Sequence, residues 1–250
     1  MRFEVLGVLR ASGEYGEIAL PRGRSSIALS WLLMNAGDVI GVDSLVGVLW
    51  DAPPATAQAK TRAIVRELAT LFSPGTIETT AAGARISAVK DDIDARHFEQ
   101  LVHAGRVRLA EGDREVARDV FARALRLWRG DPYPDLRHVL AALPAIHGLV
   151  DLRLSAQESL NGLALEQEVA YPLVADLWSQ VTVHPERLRL RCQLALALYR
   201  VDRQVEALET LRRTRRDLGD AGGQVAELES AILQNSPRLA QGELRRDGTV

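Results

Sequence analysis

Gln58, Arg62 and Arg66 stand four residues apart in PPATAQAKTRAIVRELATLF, residues 53–72. Residues four apart on a helix are neighbours on its surface, so the three form one row. Arg bonds guanine bidentately and Gln does the same with adenine, so such a row has the chemistry to read base edges in a DNA major groove. Lys60 lies to the flank and suits a phosphate. Thr56 stands at the cap position, and the helix N-terminus behind it also attracts a phosphate. A merely solvated helix face would carry the same residue types.

Holding that row outward requires an inner stripe. Ala57, Thr61, Ile64, Leu68 and Leu71 repeat at helical spacing and are expected to face the core. Gln58, Ala59, Arg62, Arg66 and Ala69 fall opposite, and Pro74-Gly75 ends the helix. Upstream, RFEVLGVL (2–9) reads as a strand with Phe3, Val5 and Leu9 on one face. GEYGEIAL follows as a turn and a short strand ending near Leu20. Ser25 or Ser26 is expected to cap a helix through IALSWLLMNAG, with Ile27, Leu29, Leu32, Leu33 and Ala36 as its stripe and Gly37 as its stop. A second helix is expected over 43–50, with Leu45, Val46, Leu49 and Trp50 inward. Downstream, IETT and ARISAV read as a hairpin around Ala82-Gly83, with Arg85 near its tip, within reach of a minor groove or a phosphate. Strands, three helices and a hairpin, in that order, are the order of a winged helix with an extra N-terminal sheet.

The rest is helical. KDDIDARHF (90–98) is acidic and marks a domain junction, with Asp91, Asp92 and Asp94 expected to be solvated and helix-capping. In REVARDVFARALRLWRG the inward residues are expected to be Val116, Val120, Ala124 and Leu125. Four or more helices follow the Pro-rich loop DPYPDL, the last at about 223–234. GDREVARDVFARAL, EQEVAYPLVADLW and DRQVEALETLRR echo one another, and Val169 to Val205 is 36 residues. That spacing is near the tetratricopeptide period, although an ordinary antiparallel bundle would also account for it.

Catalytic constellations are missing. His97, His103, His138, His147 and His184 are scattered, and none pairs with a second ligand at metal spacing. There is no phosphate-cradling G-x-x-x-x-G-K-[ST], no G-x-S-x-G and no H-E-x-x-H. The expectation is a protein that is not an enzyme and carries neither cofactor nor metal. The single cysteine, Cys192, excludes a disulfide within the chain and reads as a small buried apolar residue. MRFEVLGVLRASGEYG lacks the apolar core of a signal peptide, and ALSWLLMNAG is too short to span a bilayer. A cytoplasmic, nucleoid-associated protein without membrane contact is expected. Formal net charge is −2 over 250 residues. Residues 1–90 carry nine Lys/Arg against eight Asp/Glu, a net of +1. That is a small charge for a domain that must neutralise phosphates, and pairing on two half-sites would offset it.

The chain resembles the Streptomyces antibiotic regulatory protein family of transcriptional activators. MRFEVLGVL resembles the family's opening strand, SWLLMNAGDVIGVDSLVGVLW its first two helices, and APPATAQ its turn into the recognition helix. DDIDARHFEQLVHAGRVRLAEGD and ALRLWRGDPYPDL resemble the start of its bacterial transcriptional activation domain, and HPERLRLRCQLALALYRVDRQVEAL that domain's most recognisable block. The resemblance implies an OmpR-type winged helix and a tetratricopeptide-like helical domain. It implies binding to direct repeats near the promoter −35 region as a homodimer on double-stranded DNA, and recruitment of RNA polymerase through its sigma factor and alpha subunit. Thr56, Gln58, Lys60, Arg62 and Arg66 match the recognition-helix positions, and Arg85 matches the wing arginine. The matches depart at Ala59, where the family has Asn, at Arg66-Glu67-Leu68-Ala69, and at GARI, which lacks the wing Tyr. RGRSSIALS lacks the usual Gln-Arg.

The expectation is therefore a mainly α chain. Residues 1–90 form the winged helix-turn-helix with small β-sheets, 94–236 the all-helical tetratricopeptide-like activation domain, and 237–250 a tail. The expected function is activation of a secondary-metabolite gene cluster. Asp51, Pro53 and Pro54, in the loop WDAPPATA, are the expected polymerase contact, with a plain connecting turn as the other possibility. The rival is a helical module that binds a protein or ligand and carries a weakened winged helix.

Overall fold

The computed structural model describes residues 1–87, 92–166, 171–220, 223–236 and Leu239. It is mainly helical with two small sheets and divides into two compact units, Met1–Leu154 and Ser155–Val250.

In the first unit, β1 (Arg2–Glu4), β2 (Arg10–Gly13) and β3 (Gly16–Ile18) form an antiparallel sheet in sequence order. The expected strand over 2–9 is only the three residues of β1, because the chain leaves the sheet after Glu4 and rejoins it at Arg10. Helices α1 (Arg24–Met34), α2 (Val42–Leu49) and α3 (Ala57–Leu71) follow. The α1 cap position is Gly23, not Ser25 or Ser26. The Ser26 hydroxyl instead donates to Gly23 O at 2.9 Å and to Asp135 Oδ1 at 3.2 Å. Ile27 is half-buried, whereas Ala28, Leu29, Trp31, Leu32 and Leu33 are buried.

The hairpin is β5 (Ile77–Thr79) and β6 (Gly83–Ile86). A two-residue strand, β4 (Ile40–Gly41), joins it in the order β4-β6-β5. Sequence patterning misses β4 because two residues carry no period. Gly83 makes that pairing possible: a Cβ there would lie 1.9 Å from Ile40 O.

Helices α4 (Asp94–Glu111) and α5 (Arg114–Leu125) pack on one another. Gly105 brings them close, since a Cβ there would meet the Phe121 ring at 2.8 Å. The inward residues of α5 are Ala117, Phe121 and Ala124, while Val116 is exposed and Val120 and Leu125 are half-buried. The expected stripe was offset from the buried one: it took the β-branched Val116 and Val120 and overlooked the aromatic at 121.

Asp94 is a second correction. Far from solvated, it is 4% exposed and accepts from the backbone N–H of Val5 at 2.7 Å and of Leu6 at 3.2 Å. Arg129 Nη2 donates to it at 3.2 Å, and Arg129 Nη1 donates to Val8 O. The backbone N–H groups of Arg129 and Tyr133 donate to Leu6 O and Val5 O, each at 2.8 Å. Residues 5–8, having left the sheet, thus satisfy their polar groups on the start of α4 and the 129–133 loop. Burial holds the Asp94 carboxyl above the ordinary aspartate range, against the lowering effect of these donors. Asp91 lies outside the described residues, and Asp92 is half-buried with partners of its own.

The boundary between the units falls within α6 (Leu143–Leu165). The second unit continues through α7 (Tyr171–Val183), α8 (Leu188–Arg200), α9 (Gln204–Leu218) and α10 (Gln224–Leu233). Each packs on the next, the nearest-neighbour pattern of stacked helix pairs. The three echoed segments open α5, α7 and α9, alternate helices of the series. Cys192 is free and buried among Leu190, Leu194 and Val225, and burial pushes its thiol up to about 11. The expected tail from 237 lies, Leu239 excepted, outside the described residues.

Candidate nucleic-acid interface

The outward face of α3 arises from local chemistry first. AQAKTRAIVRELATL is rich in strong helix formers. Pro53-Pro54 keeps the preceding chain out of the helix, and Ala57 N–H donates to Pro54 O at 2.8 Å as the first turn closes. Thr56 holds the cap position, but its hydroxyl makes no capping bond.

The buried stripe is Ala57, Thr61, Val65 and Leu68, with Ile64 and Leu71 half-buried. Val65 replaces Ile64 at the centre because the two adjoin on the helix and the core lies on the Val65 side. The outward row is as expected: Gln58, Lys60, Arg62 and Arg66 are all exposed. So are Thr56 and Ala59.

Three of these side chains are already engaged. Gln58 Nε2 donates to Asp43 Oδ1, in the first turn of α2, at 2.8 Å. Arg66 Nε donates to Arg62 O at 3.2 Å. Arg62 Nη1 stands 3.5 Å from Ala81 O at the hairpin tip. Each is an exposed contact whose strength is reduced by water.

Arg85 is not at the tip. The tip is Thr80–Ala82, closed by Thr80 N–H to Gly83 O at 2.8 Å. Arg85 lies within β6, opposite Glu78, and is half-buried. Its Nη2 donates to Glu78 Oε2 at 2.6 Å. The strand alternates, with Ala84 and Ile86 buried on one face and Arg85 on the other. The hairpin arginine is therefore present but carries its own counter-ion.

Asp51, Pro53 and Pro54 are exposed in the loop between α2 and α3. The loop is anchored at its start, where the Arg24 guanidinium lies 5.0 Å from the centre of the Trp50 ring and Arg24 Nε donates to Leu49 O. Among the described residues no group of three or more His, Cys, Asp and Glu is placed to hold a metal ion. None of their helices is long and apolar enough to cross a membrane.

Comparison with known proteins decides the family. The family described as Bacterial transcriptional activator domain matches residues 93–233, more than half of the chain. The chain belongs to it. Activators of this family are the antibiotic regulatory type that the opening strand, first helices and helical blocks resemble. The chain is similar to Regulatory protein AfsR of Streptomyces coelicolor, 32% identical over 96% of this chain and 25% of that protein. It is similar to Transcriptional regulatory protein EmbR of Mycobacterium tuberculosis, 29% identical over 94% of this chain and 64% of that one. Regulatory protein DnrI of Streptomyces peucetius is 25% identical, over 96% and 94%. In structure the chain matches Mycobacterium tuberculosis EmbR in complex with a low-affinity phosphopeptide. The TM-score is 0.85 with 28% identity, over 96% of this chain and 66% of that chain. The chain thus spans about a quarter of the length of AfsR and under two-thirds of EmbR. The family description and the names of these relatives are those of transcriptional regulators.

Asp43 and Glu78 are the neighbours of the candidate residues that sequence reasoning missed. Asp43 and Gln58 are 15 residues apart on different helices. No periodicity within either helix signals that they meet.

Proposed function

We infer that the chain activates transcription of a secondary-metabolite gene cluster by binding double-stranded DNA through α3. In this reading residues 1–90 bind direct repeats near the promoter as a homodimer on DNA. Residues 94–236 contribute to dimerisation and activation, and the chain works in the cytoplasm at the nucleoid. Asp51, Pro53 and Pro54 supply a rigid, exposed loop for the sigma factor or alpha subunit of RNA polymerase. The observation that carries the reading is the exposed row Gln58, Arg62 and Arg66 on α3, flanked by Lys60.

The mechanism is binding alone. Arg62 and Arg66 supply bidentate donors for guanine and Gln58 a donor–acceptor pair for adenine. Lys60 and the α3 N-terminus at Thr56 supply phosphate contacts that set register. With a net charge of only +1 in residues 1–90, a single copy gains little from counterion release. Two linked copies on two repeats raise the effective concentration of the second site. Holding polymerase beside the promoter uses the same arithmetic.

The test is a gel shift on promoters of the neighbouring gene cluster at two salt concentrations. Arg62→Ala should cost roughly 1–3 kcal/mol on the cognate site, and Lys60→Ala should lower the salt slope by about 1 with no change in base preference. Unchanged affinity in Arg62→Ala removes Arg62 from the interface. No retarded band at low salt, with or without polymerase, moves the function to the helical unit as a protein- or ligand-binding module.

A further inference from the structure

The contact between Gln58 and Asp43 assigns a role to a residue outside the row itself. A glutamine amide has two ends, a carbonyl that accepts and an NH₂ that donates twice. On a free, exposed side chain the two ends interchange by rotation, so Gln alone presents several hydrogen-bond patterns to a groove. Asp43 removes that freedom. Its ionised carboxylate accepts only, so the end of Gln58 that faces it must be Nε2, as the 2.8 Å contact shows. One N–H is then occupied. The outward edge keeps Oε1 and the second N–H, one acceptor beside one donor, the complement of the N6 amino group and N7 of adenine.

The placement suits the role. Asp43 is exposed in the first turn of α2, and α2 packs directly on α3. The carboxylate therefore approaches Gln58 from the supporting helix and leaves the outer edge of the amide open. The same negative charge is an electrostatic disadvantage beside phosphates. Its presence at the start of the row exchanges some affinity for orientation.

We propose that Asp43 is a specificity-determining positioning residue. By holding the Gln58 amide in one orientation, it makes the position that Gln58 reads select adenine. The proposal rests on the DNA-binding reading of α3.

The experiment uses the full chain. A consensus is first selected from randomised double-stranded DNA by the wild-type protein. Competition binding then measures each adenine of that consensus against the other three bases, for wild type, Asp43→Ala, Asp43→Asn and Gln58→Ala. Gln58→Ala should erase the preference at one adenine. Asp43→Ala should lower discrimination at that same adenine by about tenfold while the other positions keep theirs. Asp43→Asn, whose amide can donate as well as accept, no longer dictates which end of Gln58 faces it, so discrimination at that adenine should stay below wild type while overall affinity rises because the charge is gone. Melting curves that match wild type show that α2 is intact. An Asp43→Ala protein whose affinity shifts equally for every base would overturn the proposal and reduce Asp43 to a charge effect, with DNA binding by α3 left standing. So would a Gln58→Ala protein that keeps every adenine preference. A wild-type chain that enriches no sequence and shows no salt-dependent retention instead ends the DNA reading itself, and this inference with it.

Discussion

Two acidic residues in the first unit do opposite work. Asp94 is buried, accepts three donors and fixes residues 5–8 to the start of α4 and the 129–133 loop. Asp43 is exposed and accepts from the amide end of the Gln58 side chain. The difference is what each carboxylate replaces. In the buried seam nothing else can satisfy the N–H groups of Val5 and Leu6, so the bonds govern whether the unit holds together. On the face of α3 water competes for every group, so the bonds govern orientation and contribute little to stability. In the proposed reading, fold and recognition are thus separated within one unit, the first in dry bonds and the second in wet ones.

The strongest way to break that contrast is Asp94→Ala. It leaves two backbone N–H groups without their acceptor and takes one partner from the Arg129 guanidinium, which keeps Glu4 and Val8 O. The expected loss is on the order of 3–5 kcal/mol, read as a shift of the urea midpoint. At a temperature where the variant remains folded, its base preferences on DNA should be those of wild type. The pH dependence has a definite sign. Burial raises the folded-state carboxyl above its ordinary 3.8, so the folded chain binds this proton more tightly than the unfolded one. The stability that Asp94 lends is greatest below pH 3.8 and declines as pH rises through the folded value. Asp94→Asn should remove that decline in unfolding curves measured across the acidic range.

Gly83→Ala comes next. Its Cβ would overlap Ile40 O, so β4 and β6 must part. A loss of about 3 kcal/mol is expected. Here stability and DNA affinity should fall together, because Arg62 approaches the hairpin tip at Ala81 O. A variant that lost stability but kept full affinity would show the hairpin to be dispensable for binding.

The smallest effect sharpens the contrast. Glu78→Gln removes the carboxylate that occupies Arg85, a half-buried pair at 2.6 Å. Stability should change by about 0.5 kcal/mol or less. DNA affinity should rise about twofold as the Arg85 charge becomes available to a phosphate, with a correspondingly steeper salt dependence. Unchanged affinity would place Arg85 outside the interface.

Much of the architecture was legible in advance, and for local reasons. Helices α3, α5 and α9 bury residues at three- and four-residue spacing, and Gly37, Pro74-Gly75 and Gly112 lie just past the ends of α1, α3 and α4. The exposed row on α3 followed from four-residue spacing alone. The errors are of one kind. Asp94 reads as solvated because its neighbours Asp91 and Asp92 are acidic, and nothing local says that the N–H groups of Val5 and Leu6 will arrive there. Ile64 was preferred to Val65, and Val116 and Val120 to Ala117 and Phe121, because a helical period leaves the direction of the stripe uncertain by one residue. Arg85 was placed at a tip, whereas the turn closed at Gly83 and left it mid-strand.

By itself the sequence determined which residue types line the outer face of α3 and which segments would be helices, because propensity, period and capping act within a few residues; the family rested on the resemblance of whole blocks. Only the tertiary structure decided which charges are spent. Gln58 on Asp43, Arg85 on Glu78, and the N–H groups of Val5 and Leu6 on Asp94 are pairs made by packing. Hydrogen bonds and ion pairs act over about 3 Å in space, whatever the distance along the chain, so they become definite only when the fold has brought their partners together.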